Sequence, residues 1–180
     1  GIEIYENPYR LSTGFMVNRG LHSWDGSGAN MFYSLNDFVT KATGVDNVFE
    51  YYDADVYSDG GNCEVTRRSK NDINYNYTRL EGTTNDVRLS FEVKEETVDL
   101  YMMANANGIS KIRIFIDDQE VNYDRLQYQI YHLGHLNRGT KVTIQYCFRD
   151  DAASGGTVKL ILRQFDREAW QKAYGILSSE

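Results

Sequence analysis

The stretch "VRLSFEV", residues 87–93, places Val87, Leu89, Phe91 and Val93 on one parity and Arg88, Ser90 and Glu92 on the other. Successive side chains of a strand point to opposite faces, so this alternation predicts an antiparallel strand with one face in a core and the other in water. The same period returns in "VDLYMM" (98–103), "KIRIFI" (111–116), "KVTIQY" (141–146) and "TVKLIL" (157–162). Between them lie "NANG" (105–108), "DDQE" (117–120), "LNRG" (136–139) and "DDAASGG" (150–156), built from residues that tolerate tight or left-handed backbone. Many short strands at regular intervals predict a mainly β fold, an antiparallel β-sandwich of jelly-roll-like type.

Helical spacing is confined to the flanks. After Asn30, a candidate cap, Phe32, Leu35, Val39 and Ala42 recur until Lys41 and Gly44 close the pattern, which predicts a helix over 31–43 in the N-terminal third. Asp166 precedes a second stripe, Trp170, Ala173, Tyr174 and Leu177, predicting a C-terminal helix over 166–177. Gly175 weakens its last turn.

With 180 residues and 41% apolar content, the chain has enough material for one core, and the expectation is a single domain over 1–180. No run approaches the roughly 18 apolar residues of a membrane span, and Gly1 stands where an initiator Met would. The chain therefore reads as a soluble piece of something longer that does not itself insert in a membrane. A net charge of -7 opposes condensation on nucleic acid or an anionic membrane, and the only local basic run is "RRSK" at 67–70.

The chemistry-bearing residues form no catalytic set. His132 and His135 in "HLGH" are three apart, which in a regular strand sends their rings to opposite faces and argues against a metal site. The pairs Asp117, Asp118 and Asp150, Asp151 fall in turns, as solvated turn formers or as ligands of a structural calcium ion. No serine or cysteine sits in a nucleophile elbow, so no catalytic residue, cofactor or metal is assigned. Cys63 shares the parity of Val65, whereas Cys147 shares the polar parity of Lys141, Thr143 and Gln145; a bridge or two thiols are both open, and the parity favours two free thiols.

Fourteen tyrosines and two tryptophans are a stronger signal, because an aromatic face stacks on the apolar face of a sugar while its polar tip takes a hydrogen bond. Most are expected in cores and cross-strand pairs. In "VFEYYDADVY" (48–57), Phe49, Tyr51 and Tyr57 fall on one face and Tyr52 on the other. Trp24, in the glycine-rich loop "HSWDGSGAN", is the best candidate for exposure. His22, Trp24, Asn36 and Tyr52 are the candidate glycan contacts.

The order of residues in "YENPYRLSTGFMV" (5–17) and "FYSLNDFVTKATG" (32–44) resembles the extracytoplasmic region of the YfhO family of bacterial membrane proteins. The resemblance rests on Tyr5, Asn7, Pro8, Leu11, Gly14, Phe15 and Met16, then Asn30, Phe32, Asn36, Thr43 and Gly44. It continues through "IRIFIDDQEVN" (112–122), "LGHLNRGTKVTI" (133–144) and "FDREAWQKAYGIL" (165–177). Ser12, Thr13 and Leu35 depart from the family's pattern. The resemblance implies a parent similar to GT-C glycosyltransferases, which take a lipid-phosphate-linked sugar at the outer membrane face; members of the YfhO family are implicated in decorating teichoic or lipoteichoic acid with sugars. Its catalytic acid would lie in an early loop outside this chain, which would be a non-catalytic extracytoplasmic domain. Its partners would be the parent's transmembrane region and a glycan or teichoic-acid acceptor. Two other readings remain: a carbohydrate-binding module of a secreted protein, and a structural or protein-interaction sandwich.

Overall fold

The computed structural model describes residues 17–59, 63–67, 74–81, 85–122 and 130–178. Tyr5 to Met16 of the family-like opening, and residues 68–70 of the basic run, lie outside the described residues. The chain divides into two compact units, Gly1–Glu50 with Phe165–Glu180, and Tyr51–Gln164.

The smaller unit is helical. A short 3-10 helix, Arg19–Ser23, precedes α1, Met31–Thr43, and the unit ends with α2, Arg167–Ser178. Each helix begins on the residue its sequence suggests: Asn30 Oδ1 accepts from Tyr33 N at 3.0 Å, and Asp166 Oδ1 accepts from Ala169 N at 2.9 Å. Gly44 at φ 78 ends α1 in the left-handed conformation that glycine adopts without a Cβ penalty. Val39, Val45, Val48 and Ala173 form the centre, extended by an aromatic chain from Phe32 through Phe49 and Phe165 to Trp170. Leu35, placed on the apolar stripe by its spacing, is exposed instead. Phe38 packs against the centre from α1.

The larger unit is a jelly-roll-like antiparallel β-sandwich. In chain order its strands are β1 (Phe49–Tyr51, at the boundary), β2 (Tyr57–Ser58), β3 (Cys63–Arg67), β4 (Asn74–Arg79), β5 (Asp86–Glu92) and β6 (Thr97–Ala106). They continue with β7 (Ile109–Ile116), β8 (Gln119–Val121), β9 (Tyr131–Asn137), β10 (Lys141–Phe148) and β11 (Gly155–Phe165). One sheet runs β3-β4-β11-β6-β9 and the other β2-β5-β10-β7-β8. From β5 onward most connections change sheet, so the Asn107–Gly108 turn joins strands of different sheets, whereas Asp117–Asp118 closes a true hairpin between β7 and β8. Both aspartates have positive φ, 48 and 62, as a two-residue hairpin turn matched to strand twist requires.

The apolar parities read from sequence meet in one core. Val87, Leu89 and Phe91 of β5 and Val142, Ile144 and Tyr146 of β10 are fully buried with Leu100, Met102 and Val158 from the other sheet. Each such side chain contributes about 1.5–3 kcal/mol of transfer free energy. The Tyr146 hydroxyl donates to Lys159 O at 2.9 Å, which removes the penalty of burying it unpaired.

The expectation for His132 and His135 is overturned. β6 pairs Leu100 with Gly134 but Tyr101 with His132, leaving Leu133 as an extra residue, and Gly134 takes φ 94. A bulge of this kind resets the alternation, so Tyr131, Leu133 and Leu136 are buried while His132 and His135 are exposed together. Their rings lie 6.4 Å apart, with Nε2 atoms 2.6 and 3.8 Å from the two oxygens of Asp99. Among the described residues no group of three His, Cys, Asp or Glu side chains could hold a metal ion.

Candidate functional site

The four residues selected from sequence fall in different units. His22 is exposed in the last turn of the 3-10 helix. Trp24 follows it, 38% exposed, with its ring edge-on to Phe38 at 5.2 Å and its Nε1 donating to Ser34 O at 3.4 Å. Much of its polar and apolar capacity is thus spent within its own unit.

Asn36 and Tyr52 are committed within the fold. Asn36 Nδ2 donates to Phe49 O at 2.8 Å while Phe49 N donates to Asn36 Oδ1 at 2.8 Å, so the amide clamps a backbone segment as a neighbouring strand would. Tyr52 is only 3% exposed, and its hydroxyl accepts from Lys94 N at 3.2 Å. Burial, helped by Glu95, pushes its phenol up to about 12. A core phenol offers no stacking face to a sugar.

The larger unit carries a polar constellation on the outer face of the β2-β5-β10-β7-β8 sheet. Antiparallel register builds it in rows: Arg88, Gln145 and Arg113 lie side by side across β5, β10 and β7, and Ser90, Thr143, Phe115 and Glu120 do so across β5, β10, β7 and β8. Parity sends all of these away from the core, yet Asp86, Ser90, Thr143 and Gln145 are buried.

Buried polar atoms are costly unless paired, and here they are paired with one another. Arg113 forks onto Glu120, Nε to Oε1 at 2.8 Å and Nη2 to Oε2 at 2.5 Å, and its Nη1 donates to Gln145 Oε1 at 3.2 Å. Gln145 Nε2 in turn donates to Asp86, which also accepts from Arg88 Nε at 3.2 Å. Ser90 Oγ shares a 2.6 Å hydrogen bond with Thr143 Oγ1 and donates to Asp59 Oδ2 at 2.9 Å. Lys141 Nζ lies 2.8 Å from Asp59 and 3.5 Å from Asp118. The guanidinium of Arg113 sits 5.0 Å over the Phe115 ring.

These contacts hold both carboxylates ionised. The Lys141 hydrogen bond lowers the Asp59 carboxyl below its ordinary range, and the Arg113 fork does the same for Glu120. Cys147, on the same face, is a free thiol whose pKa is raised by burial and then by Asp86. The side chain of Cys63 lies outside the described residues.

Above this layer is a cleft of about 360 Å³ lined by Asp59, Arg88, Arg113, Phe115, Asp118 and Thr143. Its size is at the lower end of small-ligand sites. The terminal nitrogens of Arg88 have no hydrogen-bond partner among the described residues, and Asp118 is 81% exposed. The lining therefore presents the terminal donors of Arg88, an exposed carboxylate on Asp118 and the Phe115 ring on a pre-braced sheet. That arrangement suits a polyhydroxylated ligand.

Sequence reasoning missed this site because Arg88, Arg113 and Gln145 alternate with core residues in three segments, and each alone looks like an ordinary solvated face. The available signal was the share of Ser, Thr and Gln among those polar positions, where Lys and Glu would be usual.

No protein-family model matches the chain, and no curated protein matches it. Among solved structures, a xylan-binding module, CBM86, from Roseburia intestinalis is similar at 11% identity and TM-score 0.37, covering 63% of this chain and 94% of that one. A family 35 carbohydrate-binding module from Clostridium thermocellum is similar at 16% identity and TM-score 0.35, covering 64% and 95%. The secreted serine protease VesC from Vibrio cholerae is similar at 10% identity and TM-score 0.37, over 66% of this chain and only 28% of the protease.

Proposed function

We propose that the chain is a non-catalytic glycan-binding domain that holds a sugar chain in the cleft of the larger unit, and that it serves a YfhO-like membrane glycosyltransferase at the extracytoplasmic face. The observation that carries this reading is the cleft: a lattice of paired charges, with the terminal Arg88 nitrogens and the exposed side of the Asp118 carboxylate facing a ligand beside the Phe115 ring. Because the lattice is braced before binding, little ordering entropy is lost when a ligand arrives. In a glycosyltransferase such a domain would raise rate by holding the acceptor, since orientation alone is worth roughly 7–11 kcal/mol in well-held reactions. The parent's transmembrane region and a glycan or teichoic-acid acceptor, held by its sugar units, are the partners this proposal names.

The test is titration of the 180-residue chain with cellohexaose, xylohexaose and mannohexaose, followed by amide and side-chain NMR. At least one should shift the Arg88, Arg113, Phe115 and Thr143 resonances, and Phe115→Ala should weaken that binding by about tenfold. Absence of any shift at these residues would overturn the glycan role. For the parent, loss of residues 1–180 with membrane insertion intact should impair sugar addition to the wall polymer; undiminished addition would remove the accessory role.

A further inference from the structure

We infer that the cleft selects neutral sugar units and excludes polyanionic chains, so that it holds the sugar portion of a glycosylated polymer and not its phosphate backbone. This rests on the cleft being the glycan site. Among the described residues, the cations of the outer face, Arg88, Lys111, Arg113 and Lys141, are each matched to a carboxylate: Asp86, Glu120, Glu120 again, and Asp59 with Asp118. A phosphate entering the cleft would meet only the terminal nitrogens of Arg88, whose charge Asp86 already offsets, and would sit beside Asp59 and Asp118 in like-charge repulsion.

A neutral pyranose meets neither penalty. Its hydroxyls donate to the outward oxygens of Asp118 and accept from the free nitrogens of Arg88, with no cation to be released. Phe115, held under Arg113, gives the apolar C–H face of the ring a surface to cover. The net charge of -7 acts in the same direction at long range. Specificity here comes from the repulsive element as much as from the attractive one.

The experiment titrates the same chain with the neutral hexaoses and with two polyanions, polyglycerol phosphate and polygalacturonate, at matched concentrations of repeating unit in low salt. The neutral hexaose should shift Arg88, Arg113, Phe115 and Thr143, and the polyanions should bind there at least about tenfold more weakly. Asp118→Asn, a surface change in a turn, and separately Asp59→Asn, which releases Lys141, should each narrow that gap; Asp118→Asn carries the test should Asp59→Asn fail to fold. If a polyanion shifts the same four residues as strongly as the hexaose, selection for neutral units is overturned and the glycan role stands. If no probe shifts them, both fall.

Discussion

Asn36 shows how a side chain of the right type can be committed elsewhere. Its amide satisfies both backbone groups of Phe49 at 2.8 Å, so truncating it leaves a donor and an acceptor stranded in a half-buried setting. Asn36→Ala should therefore lower unfolding free energy by about 2 kcal/mol, read as a fall in urea midpoint at constant slope. It should leave hexaose affinity unchanged, because Asn36 shares no hydrogen bond with any cleft residue. Arg88 is the opposite case: one nitrogen anchors it to Asp86 and the others have no hydrogen-bond partner among the described residues. Residue type alone does not separate these roles, because both residues are polar positions on an otherwise apolar periodic element.

For whole elements, glycine has opposite meanings in β9 and α2. Gly134 takes φ 94 at the bulge, with open space where a Cβ would go, so the obstacle to a side chain is backbone conformation and not crowding. Gly134→Ala should cost about 1–3 kcal/mol and disturb the joint placement of His132 and His135, seen as altered imidazole shifts. Gly175 in α2 is exposed, has nothing within contact range and no positive φ, so Gly175→Ala should raise stability by about 0.5–1 kcal/mol. Thermal melting of the two variants in parallel gives both signs. The helix caps, the β7–β8 turn and the strand periods were legible at this scale because they depend on neighbours within a few residues. The bulge was not, because an extra residue in β9 is defined only against β6.

For the whole molecule, stability should be bounded on both sides by groups whose titration the fold displaces. Asp59 and Glu120 have their pKa values lowered from ordinary values of 3.8 and 4.5, so the folded chain binds fewer protons than the unfolded one as pH falls through that range. Their stabilisation is present above about pH 4.5 and is lost as acid protonates them in the folded state. Tyr52 behaves in reverse: raised from 10.0 to about 12, it contributes fully below pH 10 and loses that contribution as pH rises towards 12. Urea unfolding should thus show a plateau between about pH 5 and 9, with the acid limb shallower in Asp59→Asn; an acid limb of unchanged slope would show that Asp59 carries none of it. Alternating parity from Val87 to Val93, and its recurrence in four later segments, determined by itself that the chain makes antiparallel strands around an apolar core, since side-chain direction in a strand is a local property. Asn30, Gly44 and Asp166 likewise set the helix ends through contacts a few residues long. Tertiary structure alone decided that β5, β10 and β7, far apart in sequence, lie side by side, and so that Arg88, Gln145 and Arg113 form one row beneath a cleft. Strand pairing is chosen by burial of the opposite, apolar face, and the polar face follows it into contacts that no local pattern encodes.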